Sequence, residues 1–136
     1  CCAPRFHRIP AVMTLPASRI DTVFVPALEP SSAANWYRRV FGLVTVFEEP
    51  DYVALRFPGE EPRTSTALTL FRVGVINPDF HPAFNFFAAE PELLHRQFLA
   101  EGIETTSIQT SGPMRHFDFR DISGNWVNIC HFSGAA

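Results

Sequence analysis

The stretch Ile20-Asp-Thr-Val-Phe-Val-Pro-Ala-Leu-Glu-Pro30 has a counterpart in Ala83-Phe-Asn-Phe-Phe-Ala-Ala-Glu-Pro91, and this pairing decides the fold. From Ile20 to Ala27, Val23 and Val25 alternate with Thr22 and Phe24, the period of two expected of a half-buried strand, and Ala83 to Ala89 reads the same way. Both strands run into Glu-Pro, at Glu29-Pro30 and Glu90-Pro91. Proline suits the first helical position because its missing N–H costs nothing there, and an acidic residue before it complements the positive end of the helix. Apolar residues then recur at helical spacing, at Ala33, Trp36, Tyr37, Val40 and Phe41 in one half and at Leu94, Phe98 and Leu99 in the other. Gly42 and Gly102 follow, sixty positions apart like Phe24 and Phe84, where a left-handed cap is wanted.

Beyond each glycine the period returns to two. Leu43 to Phe47, Tyr52 to Phe57 and Ala67 to Val73 form one set of expected strands, and Ile103 to Gln109, His116 to Phe119 and Trp126 to His131 the other. Turn chemistry separates them at Glu48-Glu49-Pro50, Pro58 to Arg63, Ser111-Gly112-Pro113 and Ser123-Gly124-Asn125. The expected fold class is therefore α+β, two β-α-β-β-β modules, with module one over 18–77 and module two over 81–134 of a single domain spanning 18–134. Asn77-Pro78 to His81-Pro82 would link them. Residues 1–12 lack periodicity and precede Met13, so 1–17 is read as a disordered or extraneous tail outside the fold.

Bulk composition supports one globular unit. A chain of 136 residues holds one substantial core, and 46% apolar residues, including 14 Phe, give it much to bury. A net charge of -3 without any Lys/Arg run provides no footprint for nucleic acid or an anionic membrane, and no apolar stretch reaches the roughly 18 residues of a membrane span. Cys1 and Cys2 are adjacent and Cys130 stands alone, which sets up no disulfide framework and suits a reducing, cytoplasmic compartment.

The opening segment with Trp36-Tyr37 and Phe41-Gly42-Leu43, and the closing run Phe117-Asp-Phe-Arg-Asp-Ile-Ser-Gly-Asn-Trp-Val-Asn128, resemble the vicinal-oxygen-chelate superfamily of glyoxalases, bleomycin resistance proteins and extradiol dioxygenases. The closing run is similar to an F-x-D-P-x-G-N signature, with Ile122 where Pro is usual, and the match covers about Ile20 to Phe132. The resemblance implies curved mixed sheets around a cleft, a homodimer, and a divalent metal held by the first and last strand of each module. Carried over position by position, those ligand places fall on Thr22, Thr69, Ala83 and Asn128. None is an imidazole or an anion, and neutral oxygens alone do not offset the dehydration of a divalent transition metal. No metal and no cofactor are expected.

Strand alternation puts Phe24 beside Thr22, Asn85 and Phe87 beside Ala83, and Trp126 and Cys130 beside Asn128. His116 and Asp118 face the cleft by family analogy. Together Thr22, Phe24, Asn85, Phe87, His116, Asp118, Trp126 and Asn128 are expected to bind a small organic molecule in an aromatic cleft. His116 with Asp118 is the only local pair suited to acid-base work, and they are the candidate catalytic residues, with a solvated or structural pair as the alternative. A metal site from His81, His116 and Asp118 is a further alternative. Arg115 and the histidines His81 and His95 are expected at the surface, His7 falls in the tail, and Cys130 is expected to be a buried, inert thiol.

Three functions stay open: a metal-free binding protein; a lyase, isomerase or dioxygenase using an unorthodox metal site or acid-base pair; and an interaction subunit whose cleft is plugged by Phe24, Phe87 and Trp126.

Overall fold

A computed structural model describes residues 15–133 of the chain; the expectations for Cys1, Cys2, His7 and the rest of 1–14 lie outside it. Two modules follow one another. The first comprises β1 (Thr22–Ala27), α1 (Pro30–Phe41), β2 (Val44–Glu49), β3 (Tyr52–Arg56) and β4 (Ala67–Arg72). The second comprises β5 (Asn85–Phe87), α2 (Pro91–Ala100), β6 (Gln109–Ser111), β7 (Met114–Arg120) and β8 (Trp126–Phe132). Each module forms an open mixed sheet of four strands, ordered β1-β4-β3-β2 and β5-β8-β7-β6. In both, the first strand runs parallel to the last and the remaining pairs are antiparallel. The expected α+β architecture of paired β-α-β-β-β units is present.

Proline opens both helices, and left-handed glycines follow both, with φ of 72° at Gly42 and 76° at Gly102. A side chain at either position would meet the Cβ penalty of that conformation, which is why the repeat is spelled out in glycine. One expected strand changes. Ile103 to Gln109 is not a continuous ladder: Thr105 makes a single bridge to Phe119, and regular pairing resumes only at Gln109–Ser111 opposite Met114–His116. Ile103 leans on the core beside the end of α2, and the residues after it keep only the backbone bonds from the Arg120 N–H to Glu104 and from the Thr106 N–H to Asp118.

The core lies where the helices pack on the sheets. Val25, Ala27, Leu68, Leu70, Val53 and Leu55 line it from module one, and Phe117, Phe119, Val127 and Ile129 from module two. Trp36 and Tyr37 are buried as expected. Trp36 stacks on Phe119 at 6.3 Å between centroids, and Phe41 stacks on Phe86 at 4.4 Å, so one helix serves the cores of both modules. Because strand side chains alternate, Thr22, Phe24, Thr69 and Phe71 lie on the other face of the first sheet, and His116, Asp118, Trp126, Asn128 and Cys130 on the other face of the second. Among the described residues no helix is long and apolar enough to cross a membrane.

Candidate functional site

The loop between β7 and β8 sets the geometry of the module junction. Asp121 is 5% exposed and accepts the Tyr37 hydroxyl at 2.7 Å, the Ser123 and Asn125 N–H groups at 2.9 Å each, and the Asn125 amide at 3.0 Å. Asn125 Nδ2 also donates to the Pro26 carbonyl at 2.8 Å, tying the start of β8 to the end of β1. Burial pushes the Tyr37 phenol well above its ordinary value, and the negative charge of Asp121 and the hydrogen bond to it push in the same direction. Tyr37 and Asp121 stand 84 residues apart, and only the folded chain brings them together.

Beside this knot lies a cavity of about 190 Å³. Phe24, Phe71, Phe80 and Trp126 wall it, with His81 and Asn125 among its polar neighbours. Phe24 and Phe71 meet edge to face at 6.1 Å, and the Arg120 guanidinium lies 4.2 Å over the Trp126 ring. Arg120 is itself anchored by Glu104 and by the Pro78 and Gly124 carbonyls, so the Trp126 ring is held on one side by a fixed cation. His81 stacks on Phe80 at 4.4 Å. Its Nδ1 is 2.9 Å from the Pro82 carbonyl, which can only accept, so Nδ1 carries a proton and Nε2 is the acceptor in that neutral tautomer.

The structure distributes the expected ligand-binding residues. Phe24 and Trp126 meet in the cavity just described, whereas Asn85 and Phe87 line a second, larger cavity of about 500 Å³. Thr22, His116, Asp118 and Asn128 line neither. Thr22 spends its hydroxyl on Thr69, at 2.7 Å, and on the Ala67 carbonyl. Asn85 donates to Asn128 at 3.3 Å, and Asn128 donates to Asp118 at 2.9 Å, forming a polar chain across three strands. His116 faces Ser111, at 3.1 Å, so it and Asp118 have different partners.

The four places where the superfamily resemblance puts metal ligands therefore hold a hydrogen-bonded threonine pair, an alanine and an asparagine already engaged with Asp118. That donor set does not fit a divalent transition metal, for want of imidazole and of more than one neighbouring anion. His81, His116 and Asp118 do not converge: His81 belongs to the linker cavity and His116 to the β6–β7 hairpin. Among the described residues no group of three His, Cys, Asp or Glu side chains is placed to hold a metal. Cys130 is buried, and burial pushes its thiol up, away from the nucleophilic thiolate. Arg115 pairs with Glu92. His95 is half-buried rather than exposed, donating from Nε2 to the Thr106 carbonyl at 2.9 Å and meeting Phe117 edge to face.

No family model and no curated protein sequence matches the chain. Solved structures do. TnmS3, an antibiotic binding protein from Streptomyces sp. CB03234, superposes with a TM-score of 0.73 at 15% identity, over 88% of this chain and 100% of that one. A bleomycin-binding protein from Streptomyces verticillus, solved with copper(II)-bleomycin, gives 0.62 at 16% identity, over 85% and 97%. The chain has the glyoxalase and bleomycin-resistance fold. The lactoylglutathione lyase of Agrobacterium tumefaciens shares this fold, with a TM-score of 0.65 at 23% identity over 86% of this chain and 96% of that one. Binding proteins and an enzyme thus stand on the same glyoxalase and bleomycin-resistance frame, and the fold alone does not choose between them.

The residues that sequence reasoning missed come mostly from irregular segments. Phe80 belongs to the linker, as does His81, which the sequence raised only as an alternative metal ligand; Arg120 ends β7 and Asp121 follows it, and Phe71 lies on β4 two positions after Thr69. Phe71 alone had a usable signal, because it shares a strand face with Thr69.

Proposed function

We propose that this protein binds a small aromatic molecule without a metal, in the cavity walled by Phe24, Phe71, Phe80 and Trp126. The observation that carries the proposal is that two residues expected from strand parity, Phe24 and Trp126, line one aromatic cavity from different modules. Its volume of about 190 Å³ suits a ring or a fused pair; an engineered apolar cavity of roughly 150 Å³ takes benzene. His81 Nε2 supplies an acceptor for a phenolic or amino donor on that ring. The separate partners of His116 and Asp118 offer no assembled acid-base pair, which favours binding over turnover.

We also propose a homodimer, formed through the uncovered sheet faces. Phe24 is 61% exposed and Phe87 55% exposed, and Phe47 and Tyr52 are also exposed, apolar side chains that a second copy would cover. Sedimentation equilibrium should give twice 15.3 kDa, and a monomer at micromolar concentration would remove the dimer from the proposal.

Thermal unfolding in the presence of 2-naphthol, indole and 4-hydroxyquinoline tests the site. A ligand at one hundred times its dissociation constant should add about 2.7 kcal/mol of stability. Phe24→Ala and Trp126→Ala should each weaken that ligand by tenfold or more, on the order of 1.4 kcal/mol. Stabilisation that survives both substitutions would place the ligand elsewhere, and no stabilisation by any of the three would defeat the reading.

A further inference from the structure

The larger cavity, of about 500 Å³, carries a separate signal. It opens between the β3–β4 connection and the start of β5, with Phe57, Phe84 and Phe87 among its apolar walls and Arg56, Glu60 and Ser65 among its polar ones. Arg56 is half-buried at the end of β3, yet among the described residues it has no carboxylate within ion-pair distance. Its neighbour Arg19 is neutralised by Asp21 at 2.9 Å. The terminal nitrogens of Arg56 are not buried, so they are open to a ligand.

The remaining hydrogen bonds show where its free donors lie. Arg56 Nε donates to the Ser65 hydroxyl at 2.7 Å, which fixes the plane of the guanidinium and leaves both terminal nitrogens without a partner among the described residues. The Ser65 oxygen accepts that bond, so its own proton is available, and Ser65 is buried. Two guanidinium nitrogens and a hydroxyl are thus free donors in or beside one cavity. Glu60, the only carboxylate among the lining residues, is turned back onto the Phe57 N–H at 3.2 Å. One cation beside one carboxylate favours a monoanion over a dianion, and a planar, forked donor matches a carboxylate.

We infer that this cavity is a second binding site, specific for a carboxylate carried on an aromatic or otherwise apolar body, with Arg56 and Ser65 holding the carboxylate and Phe57, Phe84 and Phe87 covering the body. It is distinct from the Phe24–Trp126 cavity, with which it shares only the Phe84 wall. Its volume lies within the roughly 300–1,000 Å³ common for small-molecule sites.

The test compares naphthalene-2-carboxylate with naphthalene-2-carboxamide on the full chain, by calorimetry and by amide chemical-shift mapping. The two have the same body and differ in charge. The carboxylate should bind tenfold or more tightly than the amide, the scale of charge-assisted hydrogen bonds, with shifts centred on Arg56, Ser65 and Phe87. Arg56→Gln should bring the two affinities together, and Arg56→Lys should keep only part of the preference, since a point charge lacks the fork. Phe24→Ala should leave carboxylate binding unchanged, which separates this site from the one proposed above. Equal affinities in the wild type, a preference that persists in R56Q, shifts centred on Phe24 and Trp126, or no saturable binding at millimolar carboxylate would each overturn the inference. The wild-type comparison stands even if R56Q folds poorly.

Discussion

The two modules share a topology and divide the labour unequally. Helix α1 buries Pro30, Ala33, Ala34, Trp36 and Tyr37, while α2 buries only Pro91 and Phe98. The aromatic face of α1 touches Phe86, Phe98 and Phe119 of the second module, whereas the aromatic contacts of α2 beyond Phe41 run to Phe117 and Phe119 of its own sheet. The uncovered sheet faces differ in the opposite sense. Module one presents Phe24, Phe71 and Tyr52 around a lone threonine pair, and module two a hydrogen-bonded chain from Asn85 through Asn128 to Asp118. A duplicated unit thus becomes one half that organises the core and another that carries most of the polar groups. The bolt between them is Tyr37–Asp121 with Asn125–Pro26.

Breaking that bolt should have the largest effect. Asp121→Ala removes the acceptor of four hydrogen bonds and strands a buried phenol and two backbone N–H groups, so a loss on the order of 3–5 kcal/mol in urea unfolding is expected. A loss below about 1 kcal/mol would mean the modules hold together without it. Tyr37→Phe deletes one charge-assisted bond and should cost less, about 1.5–3 kcal/mol. The two variants also differ in pH response. The Tyr37 phenol has a higher pKa folded than unfolded, so its contribution is fully present below the unfolded value near 10 and declines as pH rises past it. The slope for one proton is about 1.4 kcal/mol per pH unit. Unfolding followed from pH 9 to 11 should show this component in the wild type and not in Y37F; identical profiles would assign alkaline destabilisation to other groups.

This asymmetry also explains how much was legible beforehand. The repeat could be read because its markers, Pro30 and Pro91, Gly42 and Gly102, answer to local backbone rules that hold before any tertiary contact forms. The closing signature was recognisable too, yet its purpose was not: Asp121 and Asn125 act on Tyr37 and Pro26, across 84 and 99 residues. The strand over Ile103 to Gln109 was overread because apolar residues suggested pairing where Ile103 instead joins the core. Strand parity correctly set Phe24 apart from Val23 and Val25, but parity fixes a face and says nothing about which faces meet. The expected single cleft accordingly resolves into two cavities and a polar chain that lines neither.

The smallest expected effect concerns metal. Loading the protein with Zn²⁺, Mn²⁺ or Ni²⁺, desalting it and measuring bound ion should yield far less than one equivalent per chain, and chelator should leave the thermal midpoint unmoved. The reason is local. In module one the two hydroxyls are 2.7 Å apart and bonded to each other, so an ion taking both as ligands would have to break that bond. In module two the Asn128 side-chain oxygen already accepts from the Asn85 amide, and Ala83 offers no donor. An ion would have to displace these bonds and shed its water for neutral oxygens and at most one nearby carboxylate, an exchange in which the first loss is not repaid. One tightly held equivalent, lost together with Asp118→Asn, would show that the polar chain of module two is a metal site after all, and would reverse the contrast between the modules.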